Sequence, residues 1–167
     1  MLKVLEVPPL IVRNAGWGHR RMTHYELVSP IDAGTWRSYH DIRRDVLFEA
    51  RGRRDVYDEN HPDERAPGNH PKLLLYRGDP VGVIRIDIAS PRALLRRVAI
   101  RADVQRRGHG RVLLSLAQRF ATEHGCRQME SHVASDAVGF YQKCGFVIDG
   151  NKAVSAGPGS VLMRKDI

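Results

Sequence analysis

At 167 residues, 42% hydrophobic and 28% charged, the chain has the length and balance of one soluble domain with a buried core, and no stretch approaches the apolar length of a membrane span. Its formal charge of +8 invites an anionic partner, but aromatic residues make up only 7% and are not interleaved with the basic runs, which argues against a nucleic-acid stacking surface. Cys126 and Cys144 are the only cysteines and form no C-x-x-C pair, which argues against a zinc ribbon or redox pair and suits a reducing, cytoplasmic setting.

Residues 1–22 contain Pro8, Pro9, Gly16 and Gly18 and are read as an N-terminal extension of uncertain structure, with residues 23–167 as a single domain. Glu6 and the two prolines interrupt the early apolar run and no small-residue cleavage site follows, so no secretion signal is expected. A short strand is predicted from Tyr25 to Val28, then a helix starting near Asp32 or Thr35, either of which can accept the bonds of free amides as an N-cap. Trp36, Tyr39, Ile42, Val46 and Leu47 recur at helical spacing and give that helix one buried face, ending near Gly52. Arg53 to Pro71 is polar, proline-bearing and without apolar period, as in a loop with room for a short helical turn.

Two β-rich runs, Leu73 to Tyr76 and Val81 to Ile88, flank the turn Arg77-Gly78-Asp79-Pro80 as a hairpin would, and Leu94 to Ile100 adds a third strand. Val112, Leu113, Leu116, Ala117, Phe120 and Ala121 mark an amphipathic helix closed by Gly125. Met129 to Val133 reads as a strand, Ser135 and Asp136 as caps for a short helix that stops at Gly145, and Phe146 to Ile148 and Val161 to Arg164 as two last strands. The order predicts an α+β fold, an α/β sandwich around one mixed sheet.

Between the third strand and the amphipathic helix stands QRRGHGRVLL, residues 105–114. The first amides of a helix have no internal partner and carry the positive end of its dipole, so strand, basic glycine turn and helix N-terminus together suit an anion. Gly108 and Gly110 let the backbone approach a phosphate, and Arg106, Arg107 and Arg111 add forked donors. The wider concentration of Arg96, Arg97 and Arg101 also suggests a local anion site. A Walker loop would need a Gly-Lys-Ser or Gly-Lys-Thr ending, and a dinucleotide loop G-x-G-x-x-G; neither is present.

The segment VAIRADVQRRGHGRVLLSLAQRFATEHGC resembles the acetyl-coenzyme A site of the GCN5-related N-acetyltransferase (GNAT) superfamily, whose Q/R-x-x-G-x-G/A loop binds the cofactor pyrophosphate. DAVGFYQKCGF, residues 136–146, resembles that family's second motif, and DIRRDVLFEARG its first helix more loosely, so the resemblance runs from about Tyr25 to Ile167. Two departures stand out: Ala134 replaces an asparagine often found seven residues before the motif tyrosine, and LLRRVAI carries no glutamate to serve as a base.

The resemblance implies a mostly antiparallel central sheet flanked by helices. It implies acetyl-CoA as co-substrate, with no metal, held by Gln105, Arg106, Arg107, Gly108, His109, Gly110 and Arg111 and by the strand Val98, Ala99 and Ile100, which offers a backbone N–H to the oxyanion. It further implies an N-acetyltransferase in which an amine attacks the thioester directly and Tyr141 is the general acid. Glu49, Asp87, Glu130 and His132 are candidate bases, with Glu49 and His132 carried forward. The acceptor is a small-molecule or peptide amine, and the resemblance leaves a homodimer open. The acidic patch Asp55 to Glu64 is read either as a solvated loop or as a lip for a cationic amine. A non-catalytic acyl-CoA-binding module is the alternative, because the sequence offers no obvious base.

Overall fold

The computed structural model describes residues 24–150 and 159–167, so the expected extension over residues 1–22 lies outside the described residues. One seven-stranded sheet runs in the order β1-β2-β3-β4-β5-β7-β6: β1 Tyr25–Val28, β2 Asn69–Tyr76, β3 Asp79–Ala89, β4 Arg92–Ile100, β5 Gln128–Ala134, β6 Val147–Ile148 and β7 Ser160–Asp166. All neighbours are antiparallel except β4 and β5, so the sheet is mixed and mostly antiparallel, as expected. That parallel step requires a crossover, and α2, His109–Glu123, supplies it.

Helix α1, Ala33–Arg43, starts where Asp32 caps it: the Asp32 carboxylate accepts the Thr35 amide at 2.8 Å and the Thr35 hydroxyl accepts the Asp32 amide at 3.2 Å. A π turn over Arg44–Phe48 and a 3₁₀ turn over Glu49–Arg51 continue it to Gly52, whose φ of 66° closes the run. Its apolar side packs Tyr39 and Ile42 on Leu73, Val83 and Ala99. The opposite sheet face packs Leu113, Leu114, Ala117 and Ala121 of α2, and Tyr141 of α3, Val138–Lys143, against Leu74, Ile84, Ile86, Leu95 and Met129. Burying each large apolar side chain contributes about 1.5–3 kcal/mol, so both faces are held by the period-two alternation of the central strands.

Several boundaries differ from the sequence reading. Strand β2 begins at Asn69 rather than Leu73, because its polar start pairs with Asp87 and Ile86 of β3; tertiary pairing overrides the lack of apolar alternation. The hairpin turn is only Arg77-Gly78, both with positive φ (52° and 81°), and Asp79 and Pro80 belong to β3. Ser135 and Asp136 do not cap α3; they form a 3₁₀ turn with Ala137 ahead of it, and no side chain caps the helix. The loop after α1 contains two 3₁₀ turns, Arg54–Val56 and Pro62–Arg65.

Candidate active site

Strands β4 and β5 pair only from Arg92↔Gln128 to Leu95↔Ser131 and then part. At the same place β4 bulges: Val83 faces Ala99 but Arg85 faces Arg96, so Ile84 meets two residues, and Arg97 takes φ 56°, rare for a residue with a side chain. The bulge turns the end of β4 away from β5 and opens a gap between them. Arg101 donates its amide to the Val81 carbonyl at 2.9 Å, so strand alternation sends the Ala99 amide toward β3 and the Val98 and Ile100 amides toward the gap. Of the three expected strand residues, Ala99 buries its side chain under α1, while Val98 and Ile100 carry the donors that face the opening.

Gly82, opposite Ile100, keeps β4 where it is. A Cβ there would lie 2.6 Å from Ile100 Cδ1 and 3.0 Å from the Ala99 carbonyl. A glycine inside a strand is the sequence signal for such a close approach, and the motif pattern does not include Gly82.

Beyond β4, Gln105 donates its side-chain amide to the Ile100 carbonyl at 2.9 Å, tying the turn to the strand end. Arg106 and Gly108 both take positive φ (62° and 91°), and Gly108 is the N-cap of α2 with no side-chain cap bond. The first amides of α2 therefore have neither an intrahelical partner nor a side-chain cap among the described residues, an arrangement that suits an anion. A Cβ on Gly108 would meet nothing within 4 Å, so the space in front of the helix is open. Gly110 serves the packing instead. Its missing Cβ admits the Phe140 ring, which would lie 3.0 Å away, and it sets how closely α2 and α3 approach.

The candidate cradle residues divide. Arg106, Arg107 and Arg111 are exposed beside the turn. His109 is buried, its Nδ1 2.7 Å from the Tyr25 hydroxyl and its ring against Tyr76, so its imidazole is turned away from the turn and only its amide stays there. Burial, then the charges of Arg107 and Arg101, lower its pKa. The broader arginine concentration is partly paired. Arg101 forks onto Asp79 and Asp103, and Arg96 bonds Asp87 at 2.9 Å.

Tyr141 is 6% exposed and within hydrogen-bonding reach of Ser131, the last β5 residue paired with β4. Burial pushes its phenol up to about 12, so it holds its proton at neutral pH. Ser131 in turn donates to the Leu95 carbonyl at 3.2 Å. The phenol and its serine thus stand at the vertex where the strands part, and no motif or spacing in the chain points to Ser131.

The candidate bases lie apart from this phenol. His132 is exposed on β5, two residues from Glu130 and on the face opposite buried Ser131 and Val133. Glu49 is exposed and bonded to Arg54 at 3.0 Å. Both Asp87 oxygens are taken by Arg85 and Arg96, and Glu130 faces Arg92 at 3.7 Å.

On the α1 face, the loop after α1 is fastened by Glu64, which is 3% exposed. It receives the Tyr39 hydroxyl at 3.0 Å and pairs with Arg43 and Arg85. Burial alone would raise its carboxyl pKa, but Arg43, Tyr39 and Arg85 together hold it below the ordinary value. Glu59 pairs with Arg44. Of the acidic patch, Glu59 and Glu64 are therefore held by arginine, while Asp55, Asp58 and Asp63 are exposed and form no ion pair with arginine among the described residues. A cavity of about 580 Å³ opens beside it between α1 and the loop, lined by Trp36, His40, Asp41, Glu59, Glu64 and Arg65 among others. Among the described residues no three His, Cys, Asp or Glu side chains gather as a metal site, and no helix is long and apolar enough to cross a membrane.

The sequence matches the Acetyltransferase (GNAT) family over residues 36–146. The protein YyaT of Bacillus subtilis is 29% identical over 126 residues, covering 75% of this chain and 85% of YyaT. Escherichia coli ElaA superposes with a TM-score of 0.68 at 16% identity over 84% of this chain and 97% of ElaA. The PaiA N-acetyltransferase of Thermoplasma acidophilum, solved in complex with coenzyme A, superposes with a TM-score of 0.65 at 14% identity over 86% of this chain and 99% of PaiA.

Proposed function

The chain belongs to the acetyltransferase (GNAT) family, and we propose that it transfers the acetyl group of acetyl-CoA to an amine acceptor by direct attack, with no covalent acyl-enzyme. The observation that carries this reading is the parting of β4 from β5 after Leu95 and Ser131, beside the uncapped N-terminus of α2. The free amides at Gly108 to Arg111 suit the pyrophosphate, and the open space before Gly108 leaves room for it.

In this reading the amine nitrogen forms a bond to the thioester carbonyl carbon, and the oxygen that becomes negative is met by the gap-facing amide of Val98 or Ile100. The C–S bond then breaks and the sulfur takes the Tyr141 proton, while the amine loses its proton to solvent or to a side chain on the α1 face, with His132 the exposed candidate. The presence of the Tyr141 phenol near the parting strands supports turnover over a module that only binds acyl-CoA. We read residues 23–167 as the single domain that performs this reaction, in the cytoplasm.

Calorimetric titration with acetyl-CoA, followed by a free-thiol assay across a panel of amines, tests it. Saturable binding with thiol release for one class of amine is the expected result. Binding without release would leave either an acceptor outside the panel or the acyl-CoA-binding module, and no binding would remove the cradle.

A further inference from the structure

The sheet face under α1 holds more guanidinium than carboxylate beside the gap. Glu64 pairs with Arg43 and Arg85, and Asp87 with Arg85 and Arg96. Arg97 joins the same group electrostatically, so four guanidiniums face two carboxylates. Glu130, on the neighbouring strand, faces Arg92 instead.

Arg97 forms no ion pair with any described residue; its guanidinium lies over the Phe48 ring, 5.4 Å from the centroid. Partial burial, then the charges of Arg43 and Arg85, lower its pKa below the ordinary arginine value, yet the side chain is exposed to an incoming ligand. The two facts agree on a concave surface, where a side chain is crowded by protein and still reached by solvent. Nearby, the buried Nε of Arg43 has no hydrogen-bond partner among the described residues. A cation surrounded by other cations in a partly dehydrated place gains from a bound anion.

The position of this charge matters as much as its sign. Arg97 is the bulge residue, with φ 56°, immediately before Val98 to Ile100, where the acetyl group would be presented. An anion held there would lie against the α1 face of the sheet, next to the strand segment that would present the acetyl group.

Resting on the transfer reading above, we propose that the acceptor is a small amine carrying an oxyanion, a carboxylate or a phosphate, and that Arg97 binds that group. The shared chemistry is a forked guanidinium on a planar or tetrahedral oxyanion. Of the carboxylates on this side, Glu49, Glu59 and Glu64 are each engaged by arginine, while Asp55, Asp58 and Asp63 are exposed farther along the loop sequence.

The test is acetyl-CoA-dependent thiol release by wild type, Arg97→Gln and Arg97→Lys on three arms. These are free α-amino acids, phosphoethanolamine, and the neutral-tailed counterparts, amino acid amides and ethanolamine. The expected result is a preference of about tenfold or more in kcat/KM for one anionic arm over its neutral counterpart, the two anionic arms separating carboxylate from phosphate. Arg97→Gln abolishes that preference through KM, Arg97→Lys restores part of it, and the acetyl-CoA Kd is unchanged. Equal use of neutral and anionic amines, or an equal loss on both in Arg97→Gln, overturns the proposal while transfer itself stands. Acetyl-CoA binding with release in no arm also overturns this proposal, while the transfer reading is decided separately by the wider amine panel.

Discussion

The Tyr25 hydroxyl and His109 Nδ1 share a 2.7 Å hydrogen bond that ties the edge strand β1 to the first residue of α2. Tyr76 packs against both rings, 4.7 Å from Tyr25 and 5.3 Å from His109 between centroids, so the helix that would receive the pyrophosphate is anchored by three aromatic side chains rather than by a cap. His109, His40 and His70 all have pKa values lowered first by burial. A histidine with a depressed pKa binds its proton more readily in the unfolded chain, so stability falls as pH drops through and below the ordinary value of 6.5. Thermal melts between neutral and mildly acidic pH should show this loss, and His109→Gln should flatten the slope. An unchanged slope in the variant would free His109 from the effect.

Tyr141→Phe keeps the ring in the core and removes only the proton donor. The expected outcome is a kcat lower by about 10²-fold with acetyl-CoA affinity nearly intact and stability changed by about 1 kcal/mol or less. Steady-state kinetics beside calorimetry reads both, and wild-type kcat in the variant would remove the phenol from the mechanism.

Gly108→Asp should weaken acetyl-CoA binding by about tenfold or more, since it sets a negative charge in front of the free α2 amides. No protein atom lies within 4 Å of the added Cβ, so the only fold cost is the left-handed φ of 91°, about 1–2 kcal/mol. Affinity unchanged by calorimetry would place the pyrophosphate elsewhere.

Gly82→Ala forces a Cβ to 2.6 Å from Ile100 Cδ1 and 3.0 Å from the Ala99 carbonyl. Overpacking of this kind costs about 1–3 kcal/mol, and because the obstacle on one side is backbone, β4 must move at the segment that carries the Val98 and Ile100 amides. Melting temperature and kcat should both fall; a fall in the first alone would show that the strand end tolerates displacement.

Glu64→Gln leaves Arg43 and Arg85 buried without their shared carboxylate and should cost about 3 kcal/mol in chemical denaturation. The carboxyl pKa is depressed in the fold, so its contribution is present above the ordinary value of 4.5 and is lost as pH falls through the lower folded value. The variant should therefore also lose part of the acid sensitivity of the wild type.

Much of this fold was legible because it is written in local pattern. Trp36, Tyr39 and Ile42 at helical spacing mark α1, and alternation in VGVIRIDI marks β3. The polar start of β2 was not legible, because Asn69 to Lys72 become a strand only by pairing with β3. His109 reads as part of an anion site from its place between two glycines, and only the packing of β1 and β2 shows its ring turned inward.

By itself the sequence determined the order of elements, the family motifs, the glycine turn at the mouth of α2 and the tyrosine of α3, since each depends on neighbours a few residues apart. Only the tertiary structure decided where β4 leaves β5, that Ser131 stands beside Tyr141, that Glu64 is consumed by two arginines, and that Arg97 is left without an ion partner among the described residues. Those relations join residues ten or more positions apart. They are fixed by strand register, by one bulge and by the desolvation of paired charges, none of which has a local signature in the chain.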